Sequence, residues 1–328
     1  MRFLITGDNG FIAKNLIRRL EEKGHSCVHS KSGFLHKLGL NYTPTEEICI
    51  HKNTELQWAQ YLERENVDII IHNAAVVGTD VVALNPAEAT LTNVQGTYNI
   101  CRAARKQNIP VCFLGTTVIY DTKQYQSSQI TEKSNLAPHT FYGSLKLTGE
   151  FIVRSEVKDW MIVRPLFAYG GNGDNNSLIA KSIYAAHNNK NFDIYLSPDK
   201  VKDYIYVDDF VDAVILATES GAWGNDYNVA AETPDSARNI VQQISAFTRH
   251  DVEKCINWNP ETDYLGNHRL SSEKFRRDFP EWKPQVSLQE GIKRAAYSIG
   301  FLTTDYNPLK FYEDAKKNGI DLLEHFVK

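Results

Sequence analysis

The sequence predicts an α/β protein with a doubly wound parallel sheet and a smaller mixed α/β region on its C-terminal side. Two observations lead to this fold class. Short apolar runs of strand length alternate with longer amphipathic helical patterns over residues 1–165. Some of these runs, such as "DIIIH" at 68–72, lack polar alternation, as expected for strands covered on both faces. The 328 residues, 42% of them hydrophobic, supply enough apolar material for a substantial core.

The elements follow one another in a regular order. Strands are expected at 2–6, 26–30, 47–51, 68–72, 111–116 and 160–165. Helices are expected at 11–24, 55–65, 86–107 and 141–154. After Pro165 we expect a glycine- and asparagine-rich loop, then a helix at 178–189, a strand near 192–196, the segment "KDYIYVDD" and a helix at 208–219.

The regular strand–helix alternation ends at Pro165, and this change in the sequence pattern predicts two domains. Residues 1–165 with about 201–225 would form a dinucleotide-binding domain, and residues 166–200 with about 226–328 a substrate-binding domain. The last stretch, "FYEDAKKNGIDLLEHFVK" at 311–328, has the pattern of an amphipathic helix.

Composition excludes several classes of function. The net charge of −4 gives no general attraction to nucleic acid or anionic membranes. No apolar run reaches the roughly 18–20 residues that a membrane span needs, and "MRFLITG" lacks the plan of a signal peptide. The five cysteines form no CxxC pair and no cluster with histidine. We therefore expect a cytoplasmic protein with reduced thiols and no metal site.

The first strand runs into a glycine turn, "TGDNGFIA", with the spacing G-x-x-G-x-x-A. Glycines at such a turn let the backbone approach a pyrophosphate, whose charge then lies at the N-terminus of the following helix. The turn therefore predicts a dinucleotide site, for which the candidate residues are Gly7, Asn9, Gly10, Phe11, Ile12 and Lys14.

The end of the second strand bears on which dinucleotide binds. Sites for NAD(H) often carry an acid here to hold the ribose hydroxyls, but the sequence reads Ser30, Lys31, Ser32. A cation beside small hydroxyls suits a 2′-phosphate, which favours NADP(H). The alternative is NAD(H), with Lys31 as a solvated loop residue.

Tyr142 and Lys146 stand four residues apart in "HTFYGSLKLTGE", so a helix places them on one face. A free phenol has a pKa near 10 and is a poor base at neutral pH. A neighbouring ammonium stabilises the phenolate and lowers that pKa toward the range where proton transfer is efficient. The pair is therefore a candidate acid–base couple.

Eight segments, in order, resemble motifs of the extended short-chain dehydrogenase/reductase family, the nucleotide-sugar epimerases, dehydratases and reductases. They are "TGDNGFIA", "DIIIHNAA", "NVQGTYNI", "GTTVIYD", "YGSLK", "VRPLFAYGG", "KDYIYVDD" and "YNVA". The resemblance covers nearly the whole chain and implies a Rossmann-type fold, a nucleotide-sugar substrate and a homodimer formed through helices 86–107 and 141–154.

The resemblance also implies roles for individual residues. The catalytic set would be Thr116, Tyr142 and Lys146, with Lys146 also holding the nicotinamide ribose. Further cofactor contacts would come from Ser30, Lys31, Asn73, Ala74, Ala75, Asn93 and Pro165. Candidate substrate-binding residues are Thr117, His139, Phe167, Asn176, Ser177, Lys202 and Arg269.

The sequence departs from the family pattern at several of these positions. The dehydratases carry two carboxylic acids where this chain has Thr117 and Val118, so elimination of water lacks its acid and base. Phe167 replaces an asparagine, and Lys202 replaces an arginine that contacts a diphosphate. His139 has no cysteine partner of the kind used for double epimerisation.

We therefore expect an NADP(H)-dependent oxidoreductase that reduces the 4-keto group of a nucleotide-linked sugar. The alternative is an NAD-dependent 4-epimerase, which would use the same three catalytic residues. A third interpretation is a nucleotide-sensing protein without turnover, against which the intact Thr/Tyr/Lys set argues.

Overall fold

The computed structural model describes residues 1–30, 49–50, 52–170, 174 and 177–300. Four of the predicted features lie wholly or largely outside the described residues: the strand expected at 47–51, the helix expected at 311–328, Lys31 and Asn176.

Contacts divide the chain into two compact units. Unit 1 comprises Met1–Ile119, Pro138–Arg164 and Val211–Tyr227, and unit 2 comprises Tyr120–Ala137, Pro165–Phe210 and the described residues from Asn228 onward.

The predicted domain boundaries differ from these units in two segments, 120–137 and 201–210, which both belong to unit 2. Their backbone partners explain why. Ile130 accepts a hydrogen bond from the amide of Ser271 and donates one to the carbonyl of Arg269, and Lys202 pairs with Asp235. The assignment of cofactor to one region and substrate to the other stays a prediction.

Most strands and helices expected between residues 2 and 219 lie within a few residues of their expected bounds, whereas the structure adds several elements after residue 224 that were not individually predicted. The strands are β1 Arg2–Thr6, β2 Ser26–Ser30, β3 Ile69–His72, β4 Val111–Leu114, β5 Trp160–Pro165, β6 Ala168–Tyr169, β7 Phe192–Ile194, β8 Val201–Lys202, β9 Ile205–Tyr206, β10 Asn225–Val229, β11 Asp235–Ser236 and β12 Ile256–Trp258. The α-helices are α1 Phe11–Glu22, α2 Glu55–Glu65, α3 Thr79–Leu84, α4 Pro86–Thr90, α5 Thr97–Gln107, α6 Phe141–Glu156, α7 Leu178–Asn188, α8 Val207–Ser220, α9 Ala237–Thr248, α10 Glu273–Asp278 and α11 Leu288–Gly300.

The central sheet has six strands in the order β10-β5-β4-β3-β1-β2. The pairs β1–β2, β1–β3, β3–β4 and β4–β5 are parallel. The chain therefore winds from β1 toward one edge and then returns past it to build the other half. In such sheets ligands bind beyond the carboxyl ends of the strands where the winding reverses, here between β1 and β3.

The helix predicted at 86–107 has these bounds but is less regular than its pattern indicates. An additional helix, α3, precedes it and ends at Leu84, since the next residue, Asn85, has a φ of −134°, which is not helical. Pro86 then starts α4 at a position where its missing N–H is tolerated. Between α4 and α5 the residues Leu91–Gly96 form a π-helical segment, a feature that often marks functional sites.

Unit 2 has a core of its own. Three helices, α7, α9 and α11, pack together, and their buried faces surround a tyrosine cluster in which Tyr169 meets both Tyr204 and Tyr206 edge to face. Within the described ranges, no helix is both long and apolar enough to cross a bilayer.

Candidate active site

The glycine turn lies between the ends of two neighbouring strands of unit 1. The amide of Gly7 donates to the carbonyl of Ser30 at the end of β2, at 3.2 Å. A Cβ on Gly7 would lie 2.8 Å from the Cα of Ala74, which follows β3, and the φ of Gly7 is +70°. Only glycine allows both the backbone conformation and this approach.

The N-terminus of α1 is open to an anion. Its N-cap residue, Gly10, provides no side-chain hydrogen bond, and the first helical turn carries no acidic residue. The first amides of a helix have no partner within it and form the positive end of the helix dipole. Gly10, Phe11 and Ile12 are half-buried beside this end, and Lys14 is exposed on the first turn.

A buried hydrogen-bond network fixes the segment that follows β3. The hydroxyl of Thr6 accepts from the amides of Asn73 and Ala74, at 3.0 and 2.9 Å, and contacts Nδ1 of His72 at 2.8 Å. Nε2 of His72 lies 2.9 Å from the hydroxyl of Thr97, which itself donates to a backbone carbonyl. His72 therefore carries its proton on Nε2, and burial, together with the charge of Lys146, lowers its pKa to about 3.

Asn93 holds the next stretch of the same segment. Its side chain accepts from the amide of Val76 at 2.7 Å and donates to the carbonyl of Val76 at 3.0 Å. The side-chain amide group of Asn93 thus forms the same pair of hydrogen bonds with the main chain of Val76 that a neighbouring strand would form. Asn93 supports the segment after β3 through Val76, while Ala75, a predicted cofactor residue, lies half-buried between these two anchors.

Helix α6 begins where the sequence predicts it. The side chain of Thr140 caps the helix by accepting from the amide of Gly143 at 3.0 Å. Tyr142, on the first turn, is half-buried against the apolar residues Val76, Val82 and Leu145.

Lys146 lies one turn further along α6 and is almost fully buried, with 3% of its surface exposed. Its ammonium donates to the carbonyl of Leu114 at 2.6 Å and lies 4.1 Å from the ring centre of Phe113. Burial lowers the pKa of Lys146 to about 7, and the charge of Glu150 opposes this shift. At neutral pH the ammonium is therefore held in place but lies close to losing its proton.

The turn that carries Thr116 contacts α6 on both sides. Leu114, two residues before it, accepts from Lys146. Val118, two residues after it, presents its carbonyl 2.8 Å from the position of a Cβ on Gly143. Thr116 itself is half-buried, whereas Thr117 is buried in a short 3-10 helix. The structure thus brings the three predicted catalytic residues to one corner of unit 1.

A charged cluster behind Lys146 was not predicted from the sequence. Glu150 is fully buried and is held by Arg164 through two hydrogen bonds of 2.8 Å each. Arg154 also contacts Glu150, and both arginines contact Asp226. The available signal was the spacing of Tyr142, Lys146 and Glu150, four residues apart along one helix.

Lys202 of unit 2 is saturated by internal partners. Its ammonium, fully buried, donates to both carboxylate oxygens of Asp263, at 3.1 and 2.9 Å, and to the carbonyl of Gly266 at 2.6 Å. All three of its donors are then used. This geometry favours a structural role for Lys202 over the predicted contact with substrate.

The remaining substrate candidates differ in how they are held. Ser177 caps α7, accepting from Ala180 and donating to Asp174, so its hydroxyl is occupied. His139 is exposed. Nε of Arg269 is buried and has no hydrogen-bond partner within the described part of the chain.

Phe167 lies two residues after β5 and has a φ of +39°, a left-handed conformation that costs energy for a bulky residue. Its ring stacks on Tyr204, with 5.4 Å between ring centres. Strained backbone of this kind concentrates at functional sites. Pro165, a predicted cofactor residue, is half-buried at the end of β5.

A family model described as "NAD dependent epimerase/dehydratase family" matches residues 3–230. The chain belongs to this family. The resemblance to the extended short-chain dehydrogenase/reductase enzymes that the motifs indicated is therefore confirmed, and so is the Rossmann-type fold.

Known relatives span several chemistries within this family. The dTDP-glucose 4,6-dehydratase of Escherichia coli is 23% identical, over 90% of this chain and 91% of the relative. A UDP-glucose 4-epimerase from Thermotoga maritima, solved with UDP-glucose, superposes with a TM-score of 0.76 at 21% identity and covers 90% of this chain and 98% of its own. A dTDP-4-dehydrorhamnose reductase from Bacillus anthracis, solved with NADP, gives a TM-score of 0.72 at 20% identity, with 90% and 99% covered. At these identities the structures show the shared fold.

The residues of unit 1 fit a bound dinucleotide. The Gly7 turn leads from β1 into α1, the start of α1 is uncapped by any side chain, and the buried hydroxyl of Ser30 lacks a hydrogen-bond partner among the described residues. These three features lie at the carboxyl ends of β1 and β2 and the start of α1, where dinucleotides bind in Rossmann-type folds.

Proposed function

We propose that the protein is an NADP(H)-dependent reductase of a nucleotide-linked sugar, acting on a 4-keto group. The observation that carries this proposal is the setting of Lys146, buried against Leu114 and Phe113 on the helix that bears Tyr142. A buried ammonium with so few partners is costly to maintain unless it has a task.

The absence of an acid pair favours reduction over dehydration. Although the Escherichia coli relative is a dehydratase, the positions after Thr116 hold Thr117 and Val118. Elimination of water needs one group to remove a proton and another to protonate the leaving hydroxyl. Thr117 is buried and cannot ionise near neutral pH, so this turn supplies neither group.

The three catalytic residues would divide the work as follows. The hydroxyl of Thr116 would donate a hydrogen bond to the sugar carbonyl oxygen and fix its position. Tyr142 would give its phenolic proton to that oxygen as the carbonyl is reduced, and the ammonium of Lys146 would stabilise the phenolate that remains. The bound nicotinamide would supply the hydride.

The cofactor preference rests on the end of β2. The hydroxyl of Ser30 has no partner among the residues that the structure describes, and the following residue in the sequence is a lysine, where a carboxylate would repel a 2′-phosphate. These features favour NADP(H), while the family description names NAD. We therefore keep the NAD-dependent 4-epimerase as the second candidate.

Two helices of unit 1 offer a face for a homodimer. Large apolar side chains are exposed on both, namely Leu91, Tyr98, Phe141 and Phe151. Leu91 lies in the π-helical segment and Tyr98 on α5, while Phe141 and Phe151 lie on α6, so both neighbouring stretches expose large apolar side chains. A second copy of the chain would cover them, and sedimentation at micromolar concentration would then give twice the mass of the chain.

The first experiment identifies the cofactor and the reaction together. The nucleotide released from a denatured sample of the purified protein is identified by chromatography and mass spectrometry. A native sample is then assayed with NADPH and dTDP- or UDP-linked 4-keto sugars. We expect NADP(H), or an empty protein that binds NADPH more tightly than NADH, and oxidation of NADPH by a 4-keto sugar. Tyr142→Phe should abolish turnover and retain NADPH binding.

Two results would contradict the proposal. Stoichiometric NAD, with interconversion of C4 epimers and no net oxidation of cofactor, would identify an epimerase. Full activity of the Tyr142→Phe variant would mean that another residue transfers the proton.

A further inference from the structure

A buried carboxylate continues the line of catalytic residues on α6. Tyr142, Lys146 and Glu150 are spaced by four residues and therefore lie along one side of the helix. Glu150 is fully buried, and Arg164 of β5 binds both of its oxygens at 2.8 Å. A two-point contact of this kind fixes the orientation of the carboxylate as well as its charge.

The cluster around Glu150 is electrically balanced. Arg164 reaches Asp226 at 2.7 Å, while Arg154 reaches both Glu150 and Asp226 at 3.1 Å. Two guanidinium groups thus face two carboxylates. Only Glu150 of the four lies one helical turn from Lys146, so its negative charge dominates at the ammonium.

The same ion pair supports the strand end that carries Thr116. A Cβ on Gly115 would lie 2.8 Å from Cγ of Arg164 and 2.8 Å from Oε1 of Glu150. Gly115 links Leu114, whose carbonyl accepts from Lys146, to Thr116. The backbone between the two catalytic side chains therefore rests directly on the Glu150–Arg164 pair.

We propose that Glu150, clamped by Arg164, is a positioning residue for the acid–base couple. Its carboxylate keeps the ammonium of Lys146 charged. Its contact with Gly115 fixes the backbone of Leu114 and Thr116 in position beside α6. The proposal rests on the proposed function only in giving Lys146 a role in binding the cofactor and in proton transfer.

The charges around Lys146 decide the direction of the expected effect. Burial draws the pKa of Lys146 down to about 7 and Glu150 raises it. His72 also faces Lys146 but is neutral, because its own pKa is about 3. Tyr142 lies on the same helix, and the two arginines are paired with carboxylates. Removing the charge of Glu150 therefore leaves burial unopposed, and Lys146 loses its proton at lower pH.

The test measures NADPH affinity against pH, by the fluorescence of bound NADPH, in the full-length protein. In the wild type, affinity should fall as Lys146 loses its proton. In Glu150→Gln the midpoint of this fall should move to lower pH by about one unit. The alkaline limb of kcat/KM with a 4-keto sugar should move by the same amount, a change that a purely structural role would not produce.

Three variants control this test. Glu150→Asp keeps the charge and should return the midpoint toward the wild-type value. Arg154→Gln removes a positive charge on the other side of Glu150, so its midpoint should stay in place or move to higher pH. Because Glu150→Gln leaves Arg164 with one carboxylate fewer and could prevent folding, Glu150→Gln combined with Arg164→Met removes the buried pair together and should move the midpoint in the same direction as Glu150→Gln.

The outcomes separate the two proposals. A midpoint that remains at the wild-type pH in Glu150→Gln, or in the double variant where Glu150→Gln does not fold, overturns the role of Glu150. A wild-type protein that binds neither NADPH nor NADH contradicts the proposed function instead.

Discussion

Each unit of this protein contains a buried lysine, and the two are held in opposite ways. Among the described residues, Lys146 of unit 1 has one hydrogen-bond acceptor, the carbonyl of Leu114, and an aromatic ring beneath it. Lys202 of unit 2 has three acceptors, two of them on the carboxylate of Asp263. Burial lowers the pKa of both. Burial alone therefore does not distinguish Lys146, for which we propose a catalytic role, from Lys202, for which the geometry favours a structural one.

The number and kind of partners make the distinction. A lysine whose three donors all have fixed acceptors, two of them on one carboxylate, has no donor left for a ligand. A lysine with one carbonyl and a ring keeps two donors for groups that arrive later, such as ribose hydroxyls. The ammonium of Lys146 in unit 1 thus keeps donors for a ligand, whereas the ammonium of Lys202 in unit 2 connects Asp263 and Gly266 within the fold.

The largest expected effect comes from Lys146→Met. If Lys146 stabilises the phenolate of Tyr142, kcat should fall by about 10²- to 10⁴-fold. Measurements of initial rate with saturating NADPH test this. A loss of less than tenfold would place Lys146 outside the proton-transfer machinery.

The same variant should gain stability at neutral pH. Lys146 has a folded pKa of about 7, below its value of 10.5 in the unfolded chain, so the unfolded state binds the proton more tightly. The resulting penalty is complete below pH 7 and disappears as the pH rises toward 10.5. After the lost contacts are subtracted, Lys146→Met should raise the free energy of unfolding by about 1 kcal/mol at pH 6.5. Urea titrations at pH 6.5 and 9.5 should show this gain shrinking with pH.

Lys202→Met should have the opposite effects: it should lower the stability of the protein and leave its activity largely unchanged. It leaves Asp263 buried without its cation, which typically costs about 3–5 kcal/mol. Activity per folded molecule should remain near that of the wild type. Lys202→Met combined with Asp263→Asn removes both charges and should recover most of the loss, giving a large interaction energy in a double-mutant cycle. A rise in KM for the nucleotide sugar without loss of stability would instead restore the predicted role of Lys202 in substrate binding.

The contrast between the two lysines also shows where sequence reasoning succeeds. Strands β1 to β5 of the central sheet, the glycine turn and the Tyr142–Lys146 pair depend on local spacing and lie where the sequence predicts. The sixth strand, β10, was not predicted. The role of Lys202 depends on Asp263, 61 residues later in the chain. No local pattern indicates that pairing, so a match to a family motif was the only guide.

Local patterns also miss features that arise from packing. The π-helical segment at Leu91–Gly96 contains Asn93, whose side chain pairs with the backbone of Val76, 17 residues earlier. Glu150 was within reach of sequence reasoning, since it continues the spacing of Tyr142 and Lys146. Its partner Arg164 lies on another element and required the fold.

The smallest effects should come from a glycine beside each lysine, and they sharpen the comparison most. A Cβ on Gly149 would lie 2.8 Å from Cζ of Phe113, the ring beneath Lys146. Gly149→Ala should gain about 1 kcal/mol in helix propensity and lose about 1–3 kcal/mol to overpacking, a small net change. Because the ring must move, the ammonium moves with it, and kcat should fall several-fold. Thr148→Ala, at the exposed neighbouring position, should leave kcat unchanged.

Gly266 is the counterpart of Gly149 in unit 2. Its carbonyl accepts from Lys202, its φ is +57°, and a Cβ there would clash with the side chain of Gln126. Gly266→Ala should therefore lower stability by about 1–2 kcal/mol without altering kcat, as measured on the folded fraction. If both glycine variants reduced kcat equally, Lys202 would have to contribute to turnover as Lys146 does, and partner number would fail as the criterion that separates them.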